Sequence, residues 1–285
     1  MAVGEDGKGA VFWYGCNMTR HGELIRNSAR LLGAVGIDAA PAGGPGHCCG
    51  SPKEASARIA GGMAERTVEK FNGMGAGDVI TWCPSCHMNV QDFMAPVTAP
   101  VFTTSHISEI LWERRERLQP LLMKAVGGRA LIHMHHGFNG RVPVNTLVPG
   151  LLGMIPGLTV VESELRAPGH MCSAIAGVPG ALADVQAAVL EAVAQLSADM
   201  VVTIFHSCHR ELVTLERGRS IRVVNWIHLL ADACGWTAED EYKVWRNAAD
   251  PRAAIGAARI EAAGEVAFTR LTEPELRRPA LHDGR

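Results

Sequence analysis

The stretch Val79-Ile80-Thr81-Trp82-Cys83-Pro84-Ser85-Cys86-His87 returns 122 residues later as Val201-Val202-Thr203-Ile204-Phe205-His206-Ser207-Cys208-His209. Each copy opens on a β-branched apolar run, which reads as a short buried strand. In the first copy that strand ends on Cys83, and a helix is expected from about His87. Working outward, Val11 to Tyr14 reads as another strand. Glu23 to Val35 shows helical apolar spacing through Leu24, Ala29, Leu31, Leu32 and Val35 before Gly36 stops it. Ser51-Pro52 is a helix start signal for a stretch running to about Phe71. A strand is expected near Val101 and an amphipathic helix from Ser105. Strands alternating with helices imply parallel α/β units, which gather ligands at the carboxyl ends of their strands. Cys16 and Cys83 both fall there.

From about Gly128 the same order begins again. Tyr14-Gly15-Cys16-Asn17 lines up with His136-Gly137-Phe138-Asn139, and Leu31-Leu32-Gly33 with Leu151-Leu152-Gly153. Gly44-Pro45-Gly46-His47-Cys48-Cys49 lines up with Ala167-Pro168-Gly169-His170-Met171-Cys172. Most pairs lie 120 to 123 residues apart in one consistent order, the mark of a duplication. The expected fold is therefore α/β, with two tandem pseudo-twofold related units at 1–127 and 128–285. The second carries a C-terminal helical extension from Trp236 to about Ala267. Its mixed charge reads as a solvated face, with partner docking as the alternative. The polar end, Pro274 to Arg285, is expected to be mobile.

The chain has 285 residues, 47% of them apolar, and a net charge of −2. It can bury its cores without staples, and it has no basic run interleaved with aromatics, so nucleic acid is not an expected partner. Neither a charged leader followed by an apolar stretch nor 18 consecutive apolar residues occurs. A soluble cytoplasmic protein with no membrane span is expected. Eight cysteines are too sparse for a disulfide scaffold, and their clustering points to metal in a reducing compartment.

The first half carries Cys16, Cys48, Cys49, Cys83 and Cys86, in the pattern C-x31-CC-x33-C-x2-C. Soft thiolates converging from loops suit an iron–sulfur cluster, and five exceed what one tetrahedral zinc can use. Zinc on four of them remains the alternative. Glycines around Cys48-Cys49 let the backbone approach a bulky group, and Cys83-Pro84-Ser85-Cys86 places two sulfurs where a strand turns into a helix. His47 and His87 adjoin these cysteines and are expected to tune the site by hydrogen bonding.

On these residues the first repeat resembles the cysteine-rich CCG domain found in the B-type subunits of heterodisulfide reductases and in their relatives, among them lactate-utilisation and glycolate oxidase iron–sulfur subunits. The resemblance implies one non-cubane [4Fe-4S] cluster on Cys16, Cys48, Cys49, Cys83 and Cys86. It also implies a B-type subunit of a heterodisulfide reductase-like complex, with the sulfur-oxidising systems favoured. The substrate would be a thiol, disulfide or persulfide, free or protein-bound. No flavin or dinucleotide fingerprint and no C-x2-C-x2-C run is present, so a ferredoxin-type C subunit and a flavin-containing A subunit are the expected partners. The alternatives are an iron–sulfur subunit of a lactate or glycolate oxidising complex, and a non-catalytic scaffold stabilised by zinc or a cluster.

The second repeat offers Phe138, Met171, Cys172, Phe205 and Cys208 at the matching positions, and phenylalanine would fill the volume of a second cluster. Cys172 and Cys208 are expected to meet in space. They form either a functional pair (a redox-active catalytic dithiol, a persulfide carrier or a substrate clamp) or a vestigial site packed shut by Phe138, Met171 and Phe205. His133, His135, His136, His170, His206 and His209 crowd these positions, so a zinc site of Cys172, Cys208 and two histidines is conceivable, although its spacing matches no standard zinc motif. Cys234 reads as core.

Overall fold

A computed structural model describes residues 9–51, 56–94 and 98–279. Four parallel strands form the first sheet: β1 (Gly9–Gly15), β2 (Ala39–Gly43), β3 (Ala76–Thr81) and β4 (Thr103–His106), in the order β2-β1-β3-β4. Val11, Phe12 and Trp13 are all buried. A strand covered on both faces reads as a continuous apolar run, not an alternating one. Four helices follow the strands: α1 (Gly22–Ala34), α2 (Ala57–Gly73), α3 (Pro84–Asn89) and α4 (Ile107–Glu113), with a short α5 (Arg115–Leu118) closing the half.

The second sheet contains β5 (Gly128–His135), β6 (Leu158–Val161), β7 (Arg166–Ala167), β8 (Met200–Thr203) and β9 (Arg222–Asn225). Its order is β6-β5-β8-β9, with β7 continuing beside β5. The repeat thus returns as a repeated strand order. Its helices are α6 (Val144–Leu152), α7 (Ala181–Gln195), α8 (His206–Leu212) and α9 (Trp226–Ala233). The duplication extends to buried polar contacts. Thr81 Oγ1 meets His87 Nδ1 at 2.9 Å, and Thr203 Oγ1 meets His209 Nδ1 at 3.1 Å. His106 caps α4 and binds the Trp82 carbonyl, while Asn225 caps α9 and binds the Ile204 carbonyl.

The two sheets enclose a shared helical layer in which α1 packs on α9 and α4 on α6. Leu24, Leu31, Leu111, Val148, Leu151 and Leu230 belong to one continuous apolar core across it. Separate apolar packing on the other face of the second sheet gathers Val189, Val193, Val201 and Leu212 together with Tyr242 and Leu276 from the C-terminal segment. That segment is broken into α10 (Glu241–Asn247), α11 (Pro251–Ile255), α12 (Ala257–Ala263), α13 (Glu265–Ala267) and α14 (Glu273–Leu276). Among the described residues no helix is long and apolar enough to cross a membrane.

Several expectations shift. The helix expected from His87 starts at Pro84, because proline preset for the first helical position follows Cys83 directly. The strand expected near Val101 lies at Thr103–His106, and Val101 itself is 59% exposed. The helix read from Ser51-Pro52 is seen from Ala57, and residues 52–55 lie outside the described ones. The C-terminal extension is several short helices docked on the second sheet, not one solvated helix. The tail expected to be mobile instead begins in helix α14, and 280–285 lie outside the described residues.

Candidate metal centre

The strand order β2-β1-β3-β4 reverses its direction of growth between β1 and β3, and a crevice opens beyond the carboxyl ends of strands at such a point. Cys16 follows β1, and Cys83 caps α3 just past β3. Pro84 at the first helical position starts α3 at once, which sets Cys86 one turn on, facing back to Cys83. The Cys48-Cys49 pair arrives on the turn after β2. All five cysteines are free thiols, and hydrogen bonds link Cys16 to Cys48, Cys48 to Cys49, Cys49 to Cys86 and Cys86 to Cys83, so the five sulfurs form one string.

The backbone around that string is held from behind. Thr67 Oγ1 donates to the Cys48 carbonyl at 2.9 Å and Asn89 Nδ2 to the Cys49 carbonyl at 3.3 Å. Lys70 Nζ donates to Gly46 O at 2.5 Å. Gly15 has φ +77°, and a Cβ there would stand 3.2 Å from Cys86 Sγ, so a side chain would press on the sulfurs. His47 Nδ1 meets the Gly43 carbonyl; contrary to expectation, His87 uses both ring nitrogens away from the sulfurs, Nδ1 on Thr81 and Nε2 on Gln91.

The thiols are electrostatically unequal. The Cys86 thiol, together with backbone N–H groups of Cys86 and Ser85, outweighs burial and lowers Cys83. The bond to Cys48 raises Cys16 strongly, with burial adding to it. Cys49 is pushed up to about 12, chiefly by Cys48. Cys83 is thus shifted towards the thiolate while Cys16, Cys49 and Cys86 are shifted away from it, and a bound cation would displace protons from those three.

Cys16 is half-buried while the other four are buried. Cys16 and Cys48 lie on the wall of a cavity of about 890 Å³ whose far side is the C-terminal segment. Tyr242, Trp245, Ile260, Phe268 and Leu271 make that side apolar. At its edge Arg20 Nε pairs with Glu275 at 2.7 Å and Arg259 Nη2 with Glu241 at 2.7 Å. Sequence reading missed this chamber, since the short amphipathic helices show an apolar face but not what it covers.

In the second half, Cys172 and Cys208 do meet: the Cys172 N–H donates to Cys208 Sγ at 3.4 Å. Two of the six histidines join them. His133 Nε2 lies 3.3 Å from Cys172 Sγ, and His135 Nε2 lies 3.3 Å from Cys208 Sγ. The signal for this pair was present, because residues two apart on a strand share a face. Burial would raise Cys208, but the Cys172 thiol and the His135 charge hold it well below the usual thiol range. His135 moves up: burial opposes the shift, and the Cys208 charge overrides it. The remaining histidines are engaged elsewhere or stand apart. His170 Nε2 meets Ser85 Oγ at 2.8 Å, tying the two cysteine loops together, and His209 Nε2 meets Asp240 at 2.6 Å. His206 is buried with neither ring nitrogen bonded among the described residues, and His136 is exposed. Cys234 is half-buried against the core.

Residues 10–91 match the family model of the cysteine-rich domain, CCG, which takes in all five first-half cysteines. These cysteines and the second-half cysteine–histidine cluster are groups that could bind a metal. A comparison with curated proteins gave no match. Among solved structures, the chain is similar to an aspartate racemase homologue from Pyrococcus horikoshii OT3, at 10% identity and TM-score 0.31, covering 79% of this chain and 99% of that one. It is also similar to the aspartate racemase of Picrophilus torridus, at 11% identity and TM-score 0.33, covering 82% of this chain and 98% of that one.

Proposed function

We propose that this protein is the iron–sulfur B-type subunit of a cytoplasmic heterodisulfide reductase-like complex, acting on a thiol, disulfide or sulfane-sulfur substrate. The observation that carries the reading is the string of five thiols opening, at Cys16 and Cys48 only, onto an apolar chamber. The donor set fits a non-cubane [4Fe-4S] cluster: five soft ligands, one more than a tetrahedral ion takes, and no Cβ at Gly15 to crowd them. When bound, the cluster supplies one-electron chemistry to a sulfur substrate.

The chain's own residues would do the rest. Cys83, already biased to thiolate, and Cys86 would anchor the buried side, with Cys48 and Cys49 on the turn and Cys16 at the open edge. Tyr242, Trp245 and Phe268 would exclude water and seat an apolar carrier of the reacting sulfur. Arg20 and Arg259, each paired with a carboxylate, would frame the entrance. Electrons would come from or go to ferredoxin-type and flavin-bearing partner subunits.

The test adds a thiol or disulfide to the anaerobically purified protein and follows the paramagnetic signal of the iron. Ala263 also lines the chamber, and a substrate-induced change that is lost in Ala263→Trp, at unchanged iron content, supports the chamber as the substrate route. A signal indifferent to every sulfur compound, or a change that survives the blocked chamber, overturns it.

A further inference from the structure

We infer that His133, His135, Cys172 and Cys208 form a structural zinc site in the second half of the chain. The four donor atoms lie within 4.8 Å of one another. His133 Nε2 to His135 Nε2 is 3.1 Å, His133 Nε2 to Cys172 Sγ is 3.3 Å, and His135 Nε2 lies 3.6 Å from Cys172 Sγ and 3.3 Å from Cys208 Sγ. With zinc–nitrogen bonds near 2.05 Å and zinc–sulfur bonds near 2.3 Å, a regular tetrahedron has N···N edges of about 3.35 Å and N···S edges of about 3.55 Å. Each observed edge is within about 0.3 Å of these, so an ion would enter with little rearrangement.

The surroundings favour one ion over a cluster. Phe138 and Phe205 occupy the positions of Cys16 and Cys83, are fully buried, and stack edge-on at 5.6 Å. They fill the space a cluster would need and leave room for a single ion. His135 Nδ1 donates to the Pro168 carbonyl at 2.9 Å, which fixes the tautomer with Nε2 free to bind. All four side chains are at most 3% exposed, so the site is closed, as structural zinc sites are. It ties the end of β5, the turn after β7 and the first turn of α8 into one unit. The duplicated fold would thus keep a metal staple where three of the five cluster ligands are gone. This inference concerns residues apart from the first-half thiols and stands independently of the proposed redox role.

Metal analysis of the full chain purified anaerobically is the test, with iron and zinc read separately. The expected result is one zinc per chain, reduced at least tenfold in Cys172→Ser/Cys208→Ser with iron unchanged, and retained in Cys83→Ser/Cys86→Ser. Cobalt exchanged into the wild type should give intense visible bands of a tetrahedral thiolate site, absent in the milder His133→Asn. Wild-type protein without zinc, with Cys172 and Cys208 reacting as a free dithiol, overturns the inference. So does zinc that survives the Cys172→Ser/Cys208→Ser change. Zinc present without iron would instead refute the cluster and leave this site standing.

Discussion

Gly50→Ala and Gly61→Ala are the same chemical change with opposite expected signs. Gly50 directly follows the Cys48-Cys49 turn, has φ +89°, and a Cβ there would stand 2.5 Å from the Ala60 carbonyl oxygen and 3.0 Å from its carbon. Those are backbone atoms of α2, so no side chain can swing away. The left-handed conformation costs alanine about 1–2 kcal/mol, and overpacking against a fixed backbone adds about 1–3 kcal/mol, for a loss of roughly 2–5 kcal/mol. Gly61 lies inside α2, where an added Cβ meets nothing within 4 Å. There alanine should stabilise by about 0.5–1 kcal/mol, because it restricts the unfolded chain and favours the helix. Thermal unfolding followed by helical circular dichroism reads both, at about 2–4 °C per kcal/mol. The Gly50 variant should also lose iron, since the turn must shift by about 0.5 Å or more to relieve the contact. Gly50→Ala protein with wild-type stability and full iron would refute the reasoning.

Glu23 is buried beside His21, His228 and Asp240, with Arg26 and Glu241 nearby, and burial pushes its carboxyl up to about 7. A raised folded pKa means that its contribution is fully present below the ordinary value of 4.5 and is lost as pH rises through 7, with a ceiling of about 3 kcal/mol. Glu23→Gln should flatten the fall in melting temperature across that window, and an unchanged slope would refute it. His228, lowered to about 4 by burial, works oppositely: its contribution is present above 6.5 and lost as pH falls towards 4, and this limb should persist in the glutamine variant. At the contact between the halves, a Cβ on Gly150 would stand 2.5 Å from the Trp112 ring. Gly150→Val should cost about 1–3 kcal/mol, and Trp112→Leu in the same chain should recover part of it. Purely additive effects in that double-mutant cycle would show the two helices do not meet there.

What could be read in advance was what repeats or what local chemistry dictates. The Val79–His87 stretch and its copy carried both the parallel α/β order and the place of the thiols, because strand, turn and cysteine spacing are local. Pro84 carried a start signal as plain as that of Ser51-Pro52, and only its reading was missed. His133 and His135 were legible as a same-face pair once β5 was known to run to His135. Their meeting with Cys172 and Cys208 needed the sheet order, which brings β5 beside β8 and β7. The buried group around Glu23 and Asp240 draws on α1, the α8–α9 region and the C-terminal segment, so no spacing announces it. The chamber lay furthest from reach, because the docking of Tyr242 and Leu276 on the second sheet decides where the apolar face of the last helices points.

The central claim is that Cys16, Cys48, Cys49, Cys83 and Cys86 hold an iron–sulfur cluster. Iron and acid-labile sulfide analysis with paramagnetic resonance on the anaerobically purified full chain tests it most directly. The account predicts about four irons and four sulfides per chain, a signal from a single cluster, and loss of both in Cys83→Ser. A colourless protein without sulfide, with zinc bound to four of those five cysteines, would contradict it.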